Sequence, residues 1–219
     1  MFFIRFLILI SLLIIMSSCS VLRDFLAPDN LMPSLGIKEV KDPITEEIKY
    51  TSEKISQNFE ERKPTFIPAK NNQFQVMDAI KLNPFIIKTK SDFEYYLQLS
   101  VIGPQGLVTN ELMLRCLGKP FFSHRIAQRE QEGINVLQHS FATTKFKSFH
   151  YQEEIIETKV TPALFDYLES CASDILIRAK GLKASIDSSI QSANQETTGF
   201  HHGMAGFKSV VESSQLKKE

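Results

Sequence analysis

Tryptophan is absent from this chain of 219 residues, and cysteine occurs only three times. No block of like charges stands out, and Lys plus Arg equals Asp plus Glu at 25 each. With no cationic excess there is no reason to expect nucleic acid as a partner. No Cys-x-x-Cys pair occurs, so a thioredoxin-like redox role has no support. Also missing are Gly-x-Ser-x-Gly, His-Glu-x-x-His, the phosphate loop and the dinucleotide fingerprint. Ser214-Gln215-Leu216-Lys217 fits Ser-x-x-Lys. It lies in a polar stretch without companion motifs and reads as chance. There is no internal repeat. Phenylalanine, by contrast, is abundant at 17 residues, enough aromatic surface for a core and against wholesale disorder.

The most informative segment is the first. Arg5 precedes an apolar stretch from Phe6 to Met16, and small residues come next. A positive start, a brief apolar run and small residues are the marks of a secretory signal. The run of 11 residues is well short of the ~20 that a spanning helix needs. Met16-Ser17-Ser18-Cys19 resembles the lipobox of bacterial lipoproteins, with Met in place of Leu and Ser in place of Gly or Ala. The resemblance covers targeting alone. It implies removal of residues 1–18, diacylation of the Cys19 thiol and acylation of the new amine. Ser20, rather than Asp, resembles signals sent on to the outer membrane in didermic bacteria.

With Cys19 taken by lipid, Cys116 and Cys171 remain. An oxidising compartment makes one disulfide between them possible. Two separately buried thiols are the alternative, and spacing does not decide.

Residues 19–42 read as a lipidated tether, punctuated by Pro28, Asp29, Asn30, Pro33, Ser34 and Gly36. Fully extended it reaches about 75–80 Å. A domain over 43–193 comes after it. Asp42 and Pro43 look like an N-cap and first helical residue, and Ile44, Ile48, Thr51, Ile55 and Phe59 recur at helical steps. The expectation is a helix over 43–62. Within a sheet region at 84–160, strands are expected at 85–90, 93–102, 107–117, 134–143 and 146–160. Gly103-Pro104-Gln105-Gly106 reads as the turn of a hairpin joining the second and third. A short helix is expected near 121–132. Thr161-Pro162 opens a long helix, expected over 162–193. Its apolar residues include Phe165, Leu168, Ala172, Ile175, Ala179, Leu182 and Ile186. Residues 194–219 read as a flexible tail.

These elements make an α+β domain with a mainly antiparallel sheet of about five strands, an N-terminal helix and a long C-terminal helix. The order is similar to that of type III secretion chaperones. That likeness rests on element order alone and carries no function.

Candidate chemistry is sparse. His139 and His150 fall on adjacent expected strands, where Glu153 or Glu154 would complete a metal or acid–base cluster. Two ordinary strand histidines are the alternative. His124 stands alone. His201-His202 in the tail is poorly preorganised for a metal. Asp166, Glu169 and Asp174 read as the solvated face of the long helix. Phe121, Phe122, Phe141, Phe146 and Phe149 form either an aromatic core or, if exposed, a docking patch. The sequence therefore points to a lipid-anchored envelope protein, held on a membrane through Cys19 and bound to a protein partner there. No catalytic residue, metal or cofactor is expected, and the oligomeric state stays open. The alternatives are a periplasmic-facing peptide- or lipid-binding module of chaperone type and, less well supported, a hydrolase.

Overall fold

The computed structural model describes Met32 and residues 36–61, 65–68, 74–77, 79–103, 108–126, 136–146, 149–181, 184–191 and 195–215. The signal segment, Cys19 and most of the tether lie outside these residues.

Asp42 does cap, but it caps a turn. Its Oδ1 accepts the backbone N–H groups of Ile44 at 2.7 Å and Thr45 at 3.0 Å. Its own N–H donates to the Glu47 carbonyl at 2.8 Å, and Glu46 sits at φ 62°. These bonds close a hairpin between β1 (Ile37–Lys41) and β2 (Ile48–Ser52). The helix expected over 43–62 is thus replaced by a turn, a strand and the shorter α1 (Glu53–Glu61). An Asx turn satisfies the same orphan N–H groups that a helix start would leave. Strand pairing decides the conformation beyond the turn. β2 buries Tyr50 and Ser52 and joins β5 (Ile80–Lys88), with Tyr50 opposite Ile86. The end of the expected tether is likewise a strand, β1.

β5 and β6 (Phe93–Gly103) form a hairpin. Its turn is fixed by Thr89, whose N–H and hydroxyl both donate to the Asp92 carbonyl. β10 (Phe149–Val160) lies beside β6, and β9 (Val136–Phe146) closes that edge. The order β1-β2-β5-β6-β10-β9 is antiparallel throughout. Alternation puts Tyr95, Leu97, Leu99 and Val101 of β6 on one face, level with Glu154, Ile156, Thr158 and Val160 of β10. That face meets the second sheet and is the heart of the core. A small separate hairpin joins β3 (Thr65–Pro68) to β4 (Phe74–Met77).

The second sheet is built from β7 (Thr109–Cys116), β8 (Phe122–Arg125), β11 (Ile175–Gly181) and β12 (Ser185–Ile190), in the order β12-β11-β7-β8. The hairpin expected around Gly103-Pro104-Gln105-Gly106 does not form. β6 already has a full-length neighbour on each side, so no edge is left for β7, which pairs instead with β8 and β11. The link carries the chain from one sheet to the other; residues 104–107 themselves lie outside the described set.

Two expected helices become strands. β8 and the buried Ile126, whose N–H donates to the Asn110 carbonyl, occupy the start of the helix expected near 121–132, and residues 127–132 lie outside the described set. The long helix of 162–193 is only α2 (Pro162–Glu169), with the β11–β12 hairpin after it. Ile175 and Ala179 suit a helical stride. Yet Ile175, Ile177 and Ala179 are buried while Leu176, Arg178 and Lys180 are exposed, which is the strand period. The expected flexible tail holds α3 (Gln195–Met204) and α4 (Phe207–Gln215), which bury Phe200, Met204, Phe207, Val210 and Val211. Gly199 and Gly203 let α3 approach α1 closely: a Cβ on Gly203 would stand 2.6 Å from Ile55 Cγ1. The fold is α+β and mostly antiparallel, but the expected sheet of about five strands is replaced by sheets of six and four strands and a two-stranded hairpin among the described residues. Its order, opening on strands and returning to strands after α2, departs from the chaperone arrangement.

Candidate functional site

Glu154 is fully buried on the core-facing side of β10. Strand alternation drives it inward, so its oxygens must be paired within the protein. They accept the Thr109 N–H at 3.0 and 3.1 Å and the Thr109 hydroxyl at 2.5 Å, both from the first residue of β7. His139 of β9 supplies a third group, its Nε2 lying 2.8 Å from Glu154 Oε1. The imidazole is 19% exposed and lies against the Phe141 ring at 4.4 Å. A second tie between the sheets lies along the same strand, where His124 Nε2 of β8 meets the Thr158 hydroxyl at 3.3 Å. Burial holds the His124 imidazole below its ordinary pKa. The sequence does not link Thr109 and His124 to this cluster, because their strands reach β10 only across the sandwich.

The structure therefore joins His139 to Glu154, and leaves His150 out. His150 is paired with Lys145, six positions along β9 from His139, about 20 Å at the strand rise. Glu153 points to the opposite face, where it accepts from the Ser100 hydroxyl at 2.6 Å. Chemically the cluster is a positioned imidazole with a buried partner. The nearby Thr109 hydroxyl is committed to that partner. Among the described residues no three metal-ligating side chains come together.

Cys116 and Cys171 are joined, with Cα atoms 5.8 Å apart. The bond ties the end of β7 to a residue just after α2. Tyr167 spans the same junction, accepting the Cys116 N–H and donating to the Pro120 carbonyl, each at 2.8 Å. Lys119 Nζ donates to the Ser170 carbonyl at 2.6 Å.

Beside this junction the outer face of the four-stranded sheet opens into a groove of about 630 Å³. Register sets its lining: Leu176 lies opposite Arg115, and Arg178 opposite both Met113 and Asp187. Arg178 makes a two-pronged ion pair with Asp187, at 2.6 and 2.8 Å. The guanidinium holds the Asp187 carboxyl below its ordinary pKa, hydrogen bonding being the larger cause. Phe121, at 63% exposure, stands at one end. The sequence does not disclose this face, since a helical stride through the residues of β11 would scatter its members.

The remaining candidates are dispersed. Asp166 is exposed as expected and pairs with Lys208 of α4 at 2.7 Å, while the half-buried Glu169 accepts the Lys208 N–H, so both carboxyls also anchor α4. Burial raises the Glu169 pKa. His201 Nδ1 lies 3.1 Å from the Cys171 carbonyl, and His202 is exposed beside it. Ser214 is buried and donates to the Val211 carbonyl at 2.9 Å. Phe122 is half-buried, while Phe141 is exposed on the other sheet from Phe121. Phe121 and Phe122 therefore do not share a sheet with Phe141, and the side chains of Phe146 and Phe149 lie outside the described set.

No protein family, no curated protein and no solved structure matches the chain.

Proposed function

We propose that the chain is a lipid-anchored envelope protein that binds another envelope component without catalysing a reaction. Acylated Cys19 holds it on a membrane, the outer membrane where there are two. The observation that carries the binding role is the open groove on the second sheet, where Phe121 and Leu176 stay exposed beside charged side chains. Apolar groups left in water at a concave face are the usual marks of a recognition site. The Cys116–Cys171 bond supports the location, because such bonds persist in oxidising compartments.

Palmitate labelling of the full chain in a bacterial host tests the anchor. Label is expected on the native chain and absent from Cys19→Ala. An unlabelled native chain overturns the anchor. A photo-crosslinking residue in place of Leu176 tests the groove. A discrete adduct is expected there, and none from the same residue at Ile44 in the β1–β2 turn. Equal adducts at both positions, or none, overturn the binding role.

A further inference from the structure

We infer that the turn between β7 and β8, with the outer face next to it, docks on a bilayer that carries anionic lipid. The inference rests on the proposed envelope location and names what this face meets there. Leu117-Gly118-Lys119-Pro120-Phe121 makes a projecting tip, with Gly118 at φ 84° in the left-handed region that a turn of this kind requires. Strand pairing ends at Cys116, and the disulfide clamps the base of the tip. Leu117 is 51% exposed and Phe121 63%, and Leu176 on the adjoining strand is 45% exposed. These large apolar groups are exposed at the rim of an open groove rather than enclosed in a cavity, which suits insertion among acyl chains better than enclosure of a small ligand.

The charge around them has one sign in excess. Arg115 and Lys119 flank the tip, and Arg125, Arg178 and Lys180 share the outer face by register. The carboxylates there are Glu111, which pairs with Lys180 at 3.4 Å, Asp187, which pairs with Arg178, and Asp174, whose carbonyl accepts the Leu117 N–H at 3.2 Å, so five cations face three carboxylates. Among the described residues Arg115 has no ion pair, and Lys119 meets a carbonyl, not a carboxylate. The whole chain is neutral, so this cationic face is a segregation of charge and not a reflection of composition. Apolar wedges framed by Lys and Arg complement an anionic leaflet, which attracts each cation close to its surface. A protein partner would accept the apolar groups equally well. The sign of the charge selects the bilayer.

The chain has no tryptophan, so one placed at the tip reports without background. Phe121→Trp in the full chain, reconstituted with phosphatidylcholine vesicles containing phosphatidylglycerol and brominated acyl chains, should shift its emission to the blue and be quenched. Val40→Trp, on the edge strand of the other sheet, should do neither. Adding Arg115→Glu and Lys119→Glu to Phe121→Trp should weaken the quenching several-fold at the same vesicle composition, since each cation near an anionic surface strengthens docking several-fold. Leaving out phosphatidylglycerol should have the same effect. Emission from Phe121→Trp that stays at the water-exposed position overturns docking, as does quenching that is indifferent to phosphatidylglycerol. A blue shift seen only with envelope protein, without quenching by lipid, overturns it in favour of a protein partner. Palmitate labelling separates the two proposals. A labelled chain with a water-exposed tip loses the docking alone, and an unlabelled chain with a quenched tip loses the anchor alone.

Discussion

Reducing the Cys116–Cys171 bond should remove a large share of the stability of this domain. The bond closes a loop with a sequence separation of 55. Freeing a loop of that length returns chain entropy to the unfolded state worth about 4 kcal/mol. The folded state should change little, because Tyr167 still bridges Cys116 and Pro120 and Lys119 still reaches Ser170. The loss is therefore set by the unfolded chain and not by broken native contacts. Domains of this size retain about 5–15 kcal/mol in total. With a urea slope of about 2 kcal/mol per molar, the midpoint should fall by about 2 M. Urea titrations of the oxidised chain, the reduced chain and Cys116→Ala/Cys171→Ala provide the measurement, with thiol counting to confirm reduction. The reduced chain and the double variant should agree, with an unchanged slope. A midpoint that holds after complete reduction would refute the reasoning, because it would mean that the unfolded chain gains no freedom when the loop opens.

Gly203→Ala should destabilise by about 1–2 kcal/mol, because the added methyl would meet Ile55 and Ser52 where α3 crosses α1, and this outweighs the better helix propensity of alanine. Gly199→Ala, where the nearest atom is the Lys54 carbonyl oxygen at 3.4 Å, is the control and should be near neutral in the same thermal melts. His124 makes the sandwich sensitive to acid. Its folded pKa is lowered by burial from the ordinary 6.5, so the unfolded chain binds the proton first. Its contribution is complete above about pH 6.5 and is lost as pH falls towards the lower folded value. Replacing it with Gln should flatten that part of the profile of unfolding midpoint against pH, and a profile identical to that of the native chain would remove His124 as the cause.

Much of this protein is fixed locally. The strands of 93–102, 134–143 and 146–160 are legible because alternation is written into consecutive residues and half-burial enforces it. Asp42 marks a real chain reversal, because its side chain bonds neighbours in sequence, and Pro162 a real helix start, because its fixed φ suits the first turn although the Thr161 side chain makes no cap bond. The residues after those signals are another matter. Ile44, Ile48, Thr51 and Ile55 keep a helical stride, and Ile175 and Ala179 do too. Apolar positions four apart satisfy both the helical and the strand period, so only a partner strand could choose. For β2 the choice lay with β5, and for β11 with β7. Gly103-Pro104-Gln105-Gly106 is a turn signal that could not say whether the next strand would return beside β6; the full-length neighbours of β6 decided that. The meeting of Thr109 with Glu154, and of Leu117, Phe121 and Leu176 on one cationic face, joins residues tens of positions apart. Such contacts are set by register between strands, which is a property of the assembled sheets and is not carried by any short stretch of the chain.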